Sequence, residues 1–595
     1  MTNFLKKHYI IFVVVLLLFM LATEISSAMQ KSQIIDESPH IAAGYSYLKT
    51  GDYRLNPEHP PLIKMMSGFP LLFIEQDSLD DNPGWQRTEQ WYAGQYLLYH
   101  SSANHSWLLF WARLPNMLLS ILLGLIIFKW AKALFGVSGG LFALLFYTFD
   151  PTSLAHSRWV TTDLGIAAFM VFALYFLSRY IKKPTLKRAL VFAIVFGLAL
   201  VAKFSAVILI PLVIIYLLIN WWQRRPRVSQ NLPEEGKRPF PIKGLILVTI
   251  IISFIVIWAT YGFEVQKPFN DPEVSVAFAP GKSQQIFDKP WLQFVNQITD
   301  TETSIGKTTM NLAKTIPVPA YTYAKGFAVL ANHNYWGHTS YLLGSFSKVG
   351  WWYYFIIAFL VKSPLITLIF TLLLLTLLIR WLSSLFRRSS YHDGGALNTL
   401  RNIKIDWFII VLTPSLYFIW TLTSKLNLGV RHLLPVYPFL FIMFGYIVTL
   451  AWIKRSKITK TILAVLVLIY VSLSLAIYPH YLSYFNIAVG GPSQGYKYLT
   501  DSNLDWGQDL IALKDYMDEN DLDNIYFHYF GTAEPEAYGI IHESPPTTEQ
   551  LKPDFKGIVA ISASGLYSEN QDYKWLLDYE PIDRIGYSIY IYDIK

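Results

Sequence analysis

Long apolar runs recur along most of the chain, and they constrain its fold more than any other feature. They are Tyr9–Ala22, Trp107–Phe128, Leu134–Phe149, Leu164–Leu177, Ala189–Val201, Phe204–Ile219, Leu245–Tyr261, Tyr353–Ile379, Trp407–Leu422, Leu433–Trp452 and Ile462–Ile477. In a bilayer such segments must satisfy their own backbone hydrogen bonds, so they become helices. That makes about eleven spans, several near or below the ~20 residues of a typical crossing. Composition agrees, with 53% hydrophobic and 15% charged residues, against roughly 25% charged in a soluble domain. Cysteine is absent, which excludes disulfides, zinc–thiolate sites and cysteine nucleophiles. A polytopic α-helical membrane protein is expected.

Basic clusters orient the spans. Lys6-Lys7, Lys129/Lys132, Arg179–Arg188, Arg224–Lys243, Arg380–Lys404 and Lys454–Lys460 occur at alternate connections, as inside loops should. The net charge of +8 therefore reports topology and implies no nucleic-acid partner. The run Tyr9–Ala22 reads either as a signal peptide, with Ser26-Ser27-Ala28 near a cleavage position, or as a retained first span. The later spans and the polar segment that follows favour retention. Residues 189–219 are short for two crossings at ~1.5 Å per residue, yet both flanks are basic. Two short helices meeting near the outer surface at Ala202-Lys203 reconcile these facts; a single crossing would reverse every later loop.

Residues 1–477 thus form a membrane domain, with outside loops at 31–106 and 262–352 and a short outside connection at Asp150–Asp163. Residues 478–595 are polar and acidic. A helical pattern at Asp509–Tyr516 and strand-like runs at Ile525–Tyr529, Gly557–Ile561 and Ser588–Tyr592 predict a small extracytoplasmic α/β domain. No internal repeat supports an inverted-repeat transporter.

The candidate chemistry gathers on the outside. Asp36 and Glu37 are adjacent carboxylates beside the membrane surface, followed by Leu55-Asn56-Pro57-Glu58-His59-Pro60-Pro61-Leu62. They offer a general base and its neighbour, or an interfacial helix start with Asp36 as N-cap and Glu37 in the first turn. Asp150, His156, Arg158 and Asp163 lie in the short connection. There, capping and an Arg158–Asp163 pair compete with a functional reading, which gains because ionisable groups at membrane depth usually face an internal site. Lys203 interrupts an apolar stretch, so it either snorkels to the interface or holds a phosphate. Arg431-His432 falls at another outside helix end. His333 and His338 stand as metal candidates with Glu58 or His59, but their spacing is diagnostic of no metal site, and loop packing or sugar contact is the better account of them. No Walker A, dinucleotide or zinc-protease motif is present. An outward-facing transferase needs a donor already activated there, and a sugar on a polyprenyl phosphate suits that geometry.

Asp36-Glu37 after the first span, Glu58-His59-Pro60-Pro61-Leu62, Asp163 opening a later span and Lys203 between paired short helices together resemble the GT-C glycosyltransferases. Within these the resemblance is to the family 39 class of protein O-mannosyltransferases and lipid A aminoarabinose transferases. It covers most of Asn3 to Tyr478 and is strongest in the first loop. It implies inverting transfer of a sugar from a polyprenyl-phosphate donor to an acceptor hydroxyl on protein, glycan or lipid, at the outer face of a plasma (inner) membrane. By the family pattern Asp36 matches the catalytic base, Asp163 a second required carboxylate and Lys203 a donor-phosphate contact. Arg158, Arg431 and His432 are further phosphate candidates, while Glu37, Glu58, His59 and Asp150 are supporting or acceptor-side candidates. No cofactor is implied beyond an optional divalent metal. His59 replaces the lysine of the aminoarabinose enzymes, which weakens lipid A as acceptor. The segment Asp501-Ser502-Asn503-Leu504-Asp505-Trp506-Gly507-Gln508-Asp509 resembles an extension of bacterial relatives with no assigned role.

Two other classes compete. A transporter or glycolipid flippase needs polar groups along a path reaching both sides, and is told apart by uptake into sealed vesicles. A non-catalytic assembly protein would tolerate Asp36→Asn and fail on loss of its tail.

Overall fold

A computed structural model describes residues 2–224, 240–271, 304–391, 399–454 and 456–595. The apolar runs are largely helical. Among the described residues seven helices are long and apolar enough to cross a membrane, and the shorter apolar helices include Ile405–Thr421 and Tyr437–Ala451. One run departs from the sequence pattern, and another keeps it through a glycine break. His105–Thr148 forms one continuous helical stretch except at Gly136, whose φ of 80° and ψ of −177° break it. There the chain reverses: the Tyr147 hydroxyl donates to Ser120 O at 3.1 Å. Glycine accommodates this left-handed φ without a Cβ penalty, so the stretch is a helical hairpin and matches the two runs read from sequence. Tyr353–Ile379 instead divides into Tyr354–Lys362 and Leu365–Tyr391 around Ser363-Pro364, because proline cannot continue the helical hydrogen-bond ladder.

Residues 189–219 form a second hairpin. Helix Leu186–Ala202 ends at Lys203, in extended conformation, and the chain continues as Phe204–Arg224. Arg224 donates to Ile181 O at 2.7 Å, returning the chain to the end where it started. The same end holds the Lys182–Asp406 ion pair (2.7 Å), a bond from Trp130 Nε1 to Asp406 (3.0 Å) and Lys132 lying over the Tyr9 ring. The described basic clusters thus gather at one end of the bundle, while parts of three of them, 225–239, 392–398 and residue 455, lie outside the described residues.

Helix Thr2–Met29 packs along His105–Thr148, with Ser120 donating to Glu24 at 2.6 Å. At the opposite end the first loop folds into helices Glu37–Thr50, Pro61–Gly68 and Gln90–Tyr99. Of the long loop, 272–303 lies outside the described residues. Its described part includes helix Tyr321–Trp336 and a hairpin of Ser340–Leu342 with Ser345–Ser347. The C-terminal region carries helix Leu510–Glu519 and a five-stranded sheet. The strand Ile525–His528 pairs in parallel with Gly557–Ser562, which pairs antiparallel with Ile589–Ile594. This is the α/β character expected from sequence.

Candidate functional site

Opposite the basic end, four charged side chains from distant parts of the sequence converge. Asp36 precedes helix Glu37–Thr50 but makes no capping bond with its side chain. Its carboxylate accepts instead from Arg431 Nη1 at 2.6 Å. Asp163, in the first turn of helix Thr162–Lys182, accepts from Lys203 Nζ at 2.5 Å. It also lies 3.6 Å from Arg431 Nη1, so Arg431 bridges the two carboxylates. Each position follows from local structure: Asp36 and Asp163 sit at helix N-termini, which favour negative charge, and Lys203 sits where one helix has ended and the next begins.

Burial sharpens these contacts. The Asp163 and Arg431 side chains are 3% and 9% exposed, while Asp36 is 21% exposed and is the most open of the cluster. Burial opposes the Arg431 charge, but Asp36 and Asp163 outweigh it and hold the guanidinium above its ordinary range. Arg431 Nε remains buried without a partner. Beside it, burial and the nearby Lys203 push His432 down to about 3. Burial likewise pushes His156 to about 3, so both imidazoles are neutral at ordinary pH. The cluster therefore joins one partly open carboxylate to one buried and one mostly buried cation, an arrangement suited to accepting a proton next to an anion.

Other candidates lie elsewhere. Glu37 turns away from Asp36 and takes both carboxylate oxygens to Arg113. Asp150 caps helix Pro151–Ser157, accepting from Ser153 N at 2.7 Å. Arg158 does not meet Asp163; it donates to Pro479 O at 3.1 Å and stacks over Trp159. Glu58 accepts from Gln90 at 2.9 Å. His59 packs edge-on against His40, and burial with His40 nearby keeps it well below its usual range. The His333 and His338 rings meet edge to face at 5.7 Å. Among the described residues no group of three or more histidine, aspartate or glutamate side chains is placed to hold a metal ion. With Glu58 engaged by Gln90, the suggested metal set does not fit.

Sequence reasoning missed several participants. Arg113 lies inside an apolar run, yet it spends all its donors on Glu37 and on Ala28 O, Lys31 O and Ser32 O, fixing the loop before Asp36. Trp506, fully buried, lies 4.4 Å beneath the Arg431 guanidinium. Asp501, in the left-handed region at φ 53°, is raised to about 6 by burial against the pull of Arg431, with Asp36 adding to the rise. The signal for the last two was the dense polar motif at 501–509, whose partners are too remote in sequence to infer.

Residues 105–258 match the profile of the dolichyl-phosphate-mannose-protein mannosyltransferase family, a stretch that includes Asp163 and Lys203 but neither Asp36 nor Arg431. No curated protein sequence matches significantly. Among solved structures, ArnT from Cupriavidus metallidurans bound to undecaprenyl phosphate aligns at 11% identity over 98% of each chain, with a TM-score of 0.31. The oligosaccharyltransferase of Archaeoglobus fulgidus in its apo form aligns at 12% identity over 97% of this chain and 73% of its own, with a TM-score of 0.44. The archaeal enzyme AglB in complex with an inhibitory peptide and a dolichol-phosphate aligns at 13% identity over 93% of this chain and 62% of its own, with a TM-score of 0.43. By its apolar helices the chain is a multi-pass membrane protein, and over 105–258 it is similar to the dolichyl-phosphate-mannose-protein mannosyltransferase family.

Proposed function

We propose that this protein transfers a sugar from a polyprenyl-phosphate donor to an acceptor hydroxyl, with inversion, on the membrane face opposite its basic loops. The observation that carries the reading is the Asp36–Arg431–Asp163–Lys203 cluster at that end of the bundle. The family match over 105–258 supports the donor class, and the positive-inside rule supports a site on the extracytoplasmic side; a plasma (inner) membrane is part of the proposal.

The chemistry divides among these residues. Asp36 takes the acceptor hydroxyl proton as the acceptor oxygen bonds to C1 of the sugar. The bond from C1 to the phosphate oxygen breaks on the opposite face, through an oxocarbenium-like transition state. The pair leaves on the phosphate oxygen, and the polyprenyl phosphate departs as an anion. Base assistance of this kind is worth about 10²–10⁴-fold. Lys203 and Arg431 stabilise the growing phosphate charge, more strongly in a buried site than in water. Arg431 Nε, buried and without a partner, is a donor free for a phosphate oxygen. Asp163 holds Lys203 in place.

The test incubates the purified protein with labelled polyprenyl-phosphate mannose and glucose in the presence of membrane extract. Release of polyprenyl phosphate with label appearing on a protein, glycan or lipid is the expected result. If neither donor is consumed although polyprenyl phosphate binds, the transferase reading fails.

A further inference from the structure

The polar segment 502–509 has no part in the chemistry above, yet it touches both ends of the Asp36–Arg431 pair. On the Asp36 side, Ile35 N donates to Trp506 O and Ser32 N to Gln508 O, each at 3.0 Å. Ser32 Oγ donates to Gly507 O at 2.9 Å and accepts from Leu510 N at 3.1 Å. A fully buried Lys31–Asp509 ion pair anchors this pairing. The backbone leading into Asp36 is therefore laid against 506–508.

On the Arg431 side, Val430 N donates to Asn503 Oδ1 at 2.9 Å, and Ser502 Oγ donates to Leu428 O. Between them Gly429 has φ 131°, and a Cβ there would stand 2.8 Å from Ser502 Oγ, so only glycine allows the approach. The indole of Trp506 then supports the guanidinium from below. Asn503 is itself fixed by Lys362, whose Nζ donates to Asn503 O at 2.6 Å. The segment is in turn bonded to the sheet region: Asp505 accepts from Ser564 N at 2.9 Å, and Asp509 accepts from Ser588 Oγ at 2.6 Å.

We propose that the C-terminal region completes the reaction site, with Trp506 and Asn503 as positioning residues that align Arg431 with Asp36. A cation stacked on an aromatic face loses rotational freedom while keeping its charge, and a turn held through its own N–H cannot drift. The site exists in working form only when the C-terminal region is docked. Describing this as a reaction site rests on the function proposed above; the alignment itself does not.

The experiment uses the full-length protein in detergent and follows phenylglyoxal modification of Arg431 by peptide mass spectrometry. Trp506→Ala and Asn503→Ala are expected to raise the modification rate at least ~5-fold, whereas Trp506→Phe, which keeps a ring in place, changes it less than ~2-fold. Rates equal to wild type in the alanine variants, with melting temperatures showing them folded, overturn the proposal. If Trp506→Ala does not fold, the milder Asn503→Ala and Trp506→Phe pair decides. In a second arm, undecaprenyl phosphate is added to the wild-type protein and is expected to protect Arg431. Absence of protection, with the alanine variants still exposing Arg431, would remove the phosphate reading and leave the alignment standing.

Discussion

Glu37 places its two carboxylate oxygens 2.8 and 2.7 Å from Nε and Nη2 of Arg113, and both side chains are buried. Its neighbour Asp36 faces the opposite way, toward Arg431 and partial solvent. Adjacent carboxylates of like charge thus have different surroundings: one is locked into the scaffold, and the other is left partly open.

Substitution should separate them. Glu37→Gln leaves the Arg113 charge uncompensated in the interior, and breaking a buried pair costs about 3–5 kcal/mol. It should lower the melting temperature in detergent. Asp36→Asn should keep the protein folded and abolish transfer. Near-normal transfer by Asp36→Asn from purified lipid-linked sugar would remove the base assignment.

Lys203 is expected to act on the donor. Lys203→Gln should raise the donor KM at least ~10-fold through loss of a charge-assisted contact, with little change in the acceptor KM. Equal effects on both substrates would count against a phosphate contact.

Arg431→Lys is not a conservative change. One guanidinium reaches Asp36, approaches Asp163 and rests on Trp506, and an ammonium lacks the planar fork to do all three. Turnover should fall about 10²-fold, the scale of losing one oriented charge stabiliser. A fall below ~3-fold would show that a point charge suffices.

Asp501 predicts a pH signature. Its carboxyl is raised to about 6, first by burial, so the folded protein holds this proton where the unfolded chain has released it. The resulting stability is present at low pH and is lost as pH rises from the ordinary carboxyl range through about 6. Asp501→Asn, which tolerates the left-handed backbone, should therefore melt higher than wild type above pH 7. That difference should close toward pH 4. A constant difference across the range would contradict the shift.

Local patterns made the helices legible, because apolar runs and basic flanks follow from bilayer physics residue by residue. Asp36, Asp163, Lys203 and Arg431 were also visible, since a charge beside an apolar run is conspicuous. Their pairing was not, nor was the division of labour between Asp36 and Glu37, which depends on Arg113 sitting inside a run that otherwise reads as plain membrane helix. Trp506 was hidden for the opposite reason. A tryptophan in a polar tail looks like local core, and nothing within tens of residues points to Arg431.

The pairing of Ser32 with Gly507 spans 475 positions, and that separation imposes a schedule. Ribosomes add about 5–20 residues per second, so roughly 25 to 95 seconds pass between emergence of Asp36 and of the tryptophan that steadies its partner. Over that interval the spans can insert and the first loop can fold, but Arg431 itself is made late and its platform later still. Whatever Asp36 and Arg431 accomplish together is thereby withheld from the nascent chain, and synthesis itself acts as the timer that arms the finished protein.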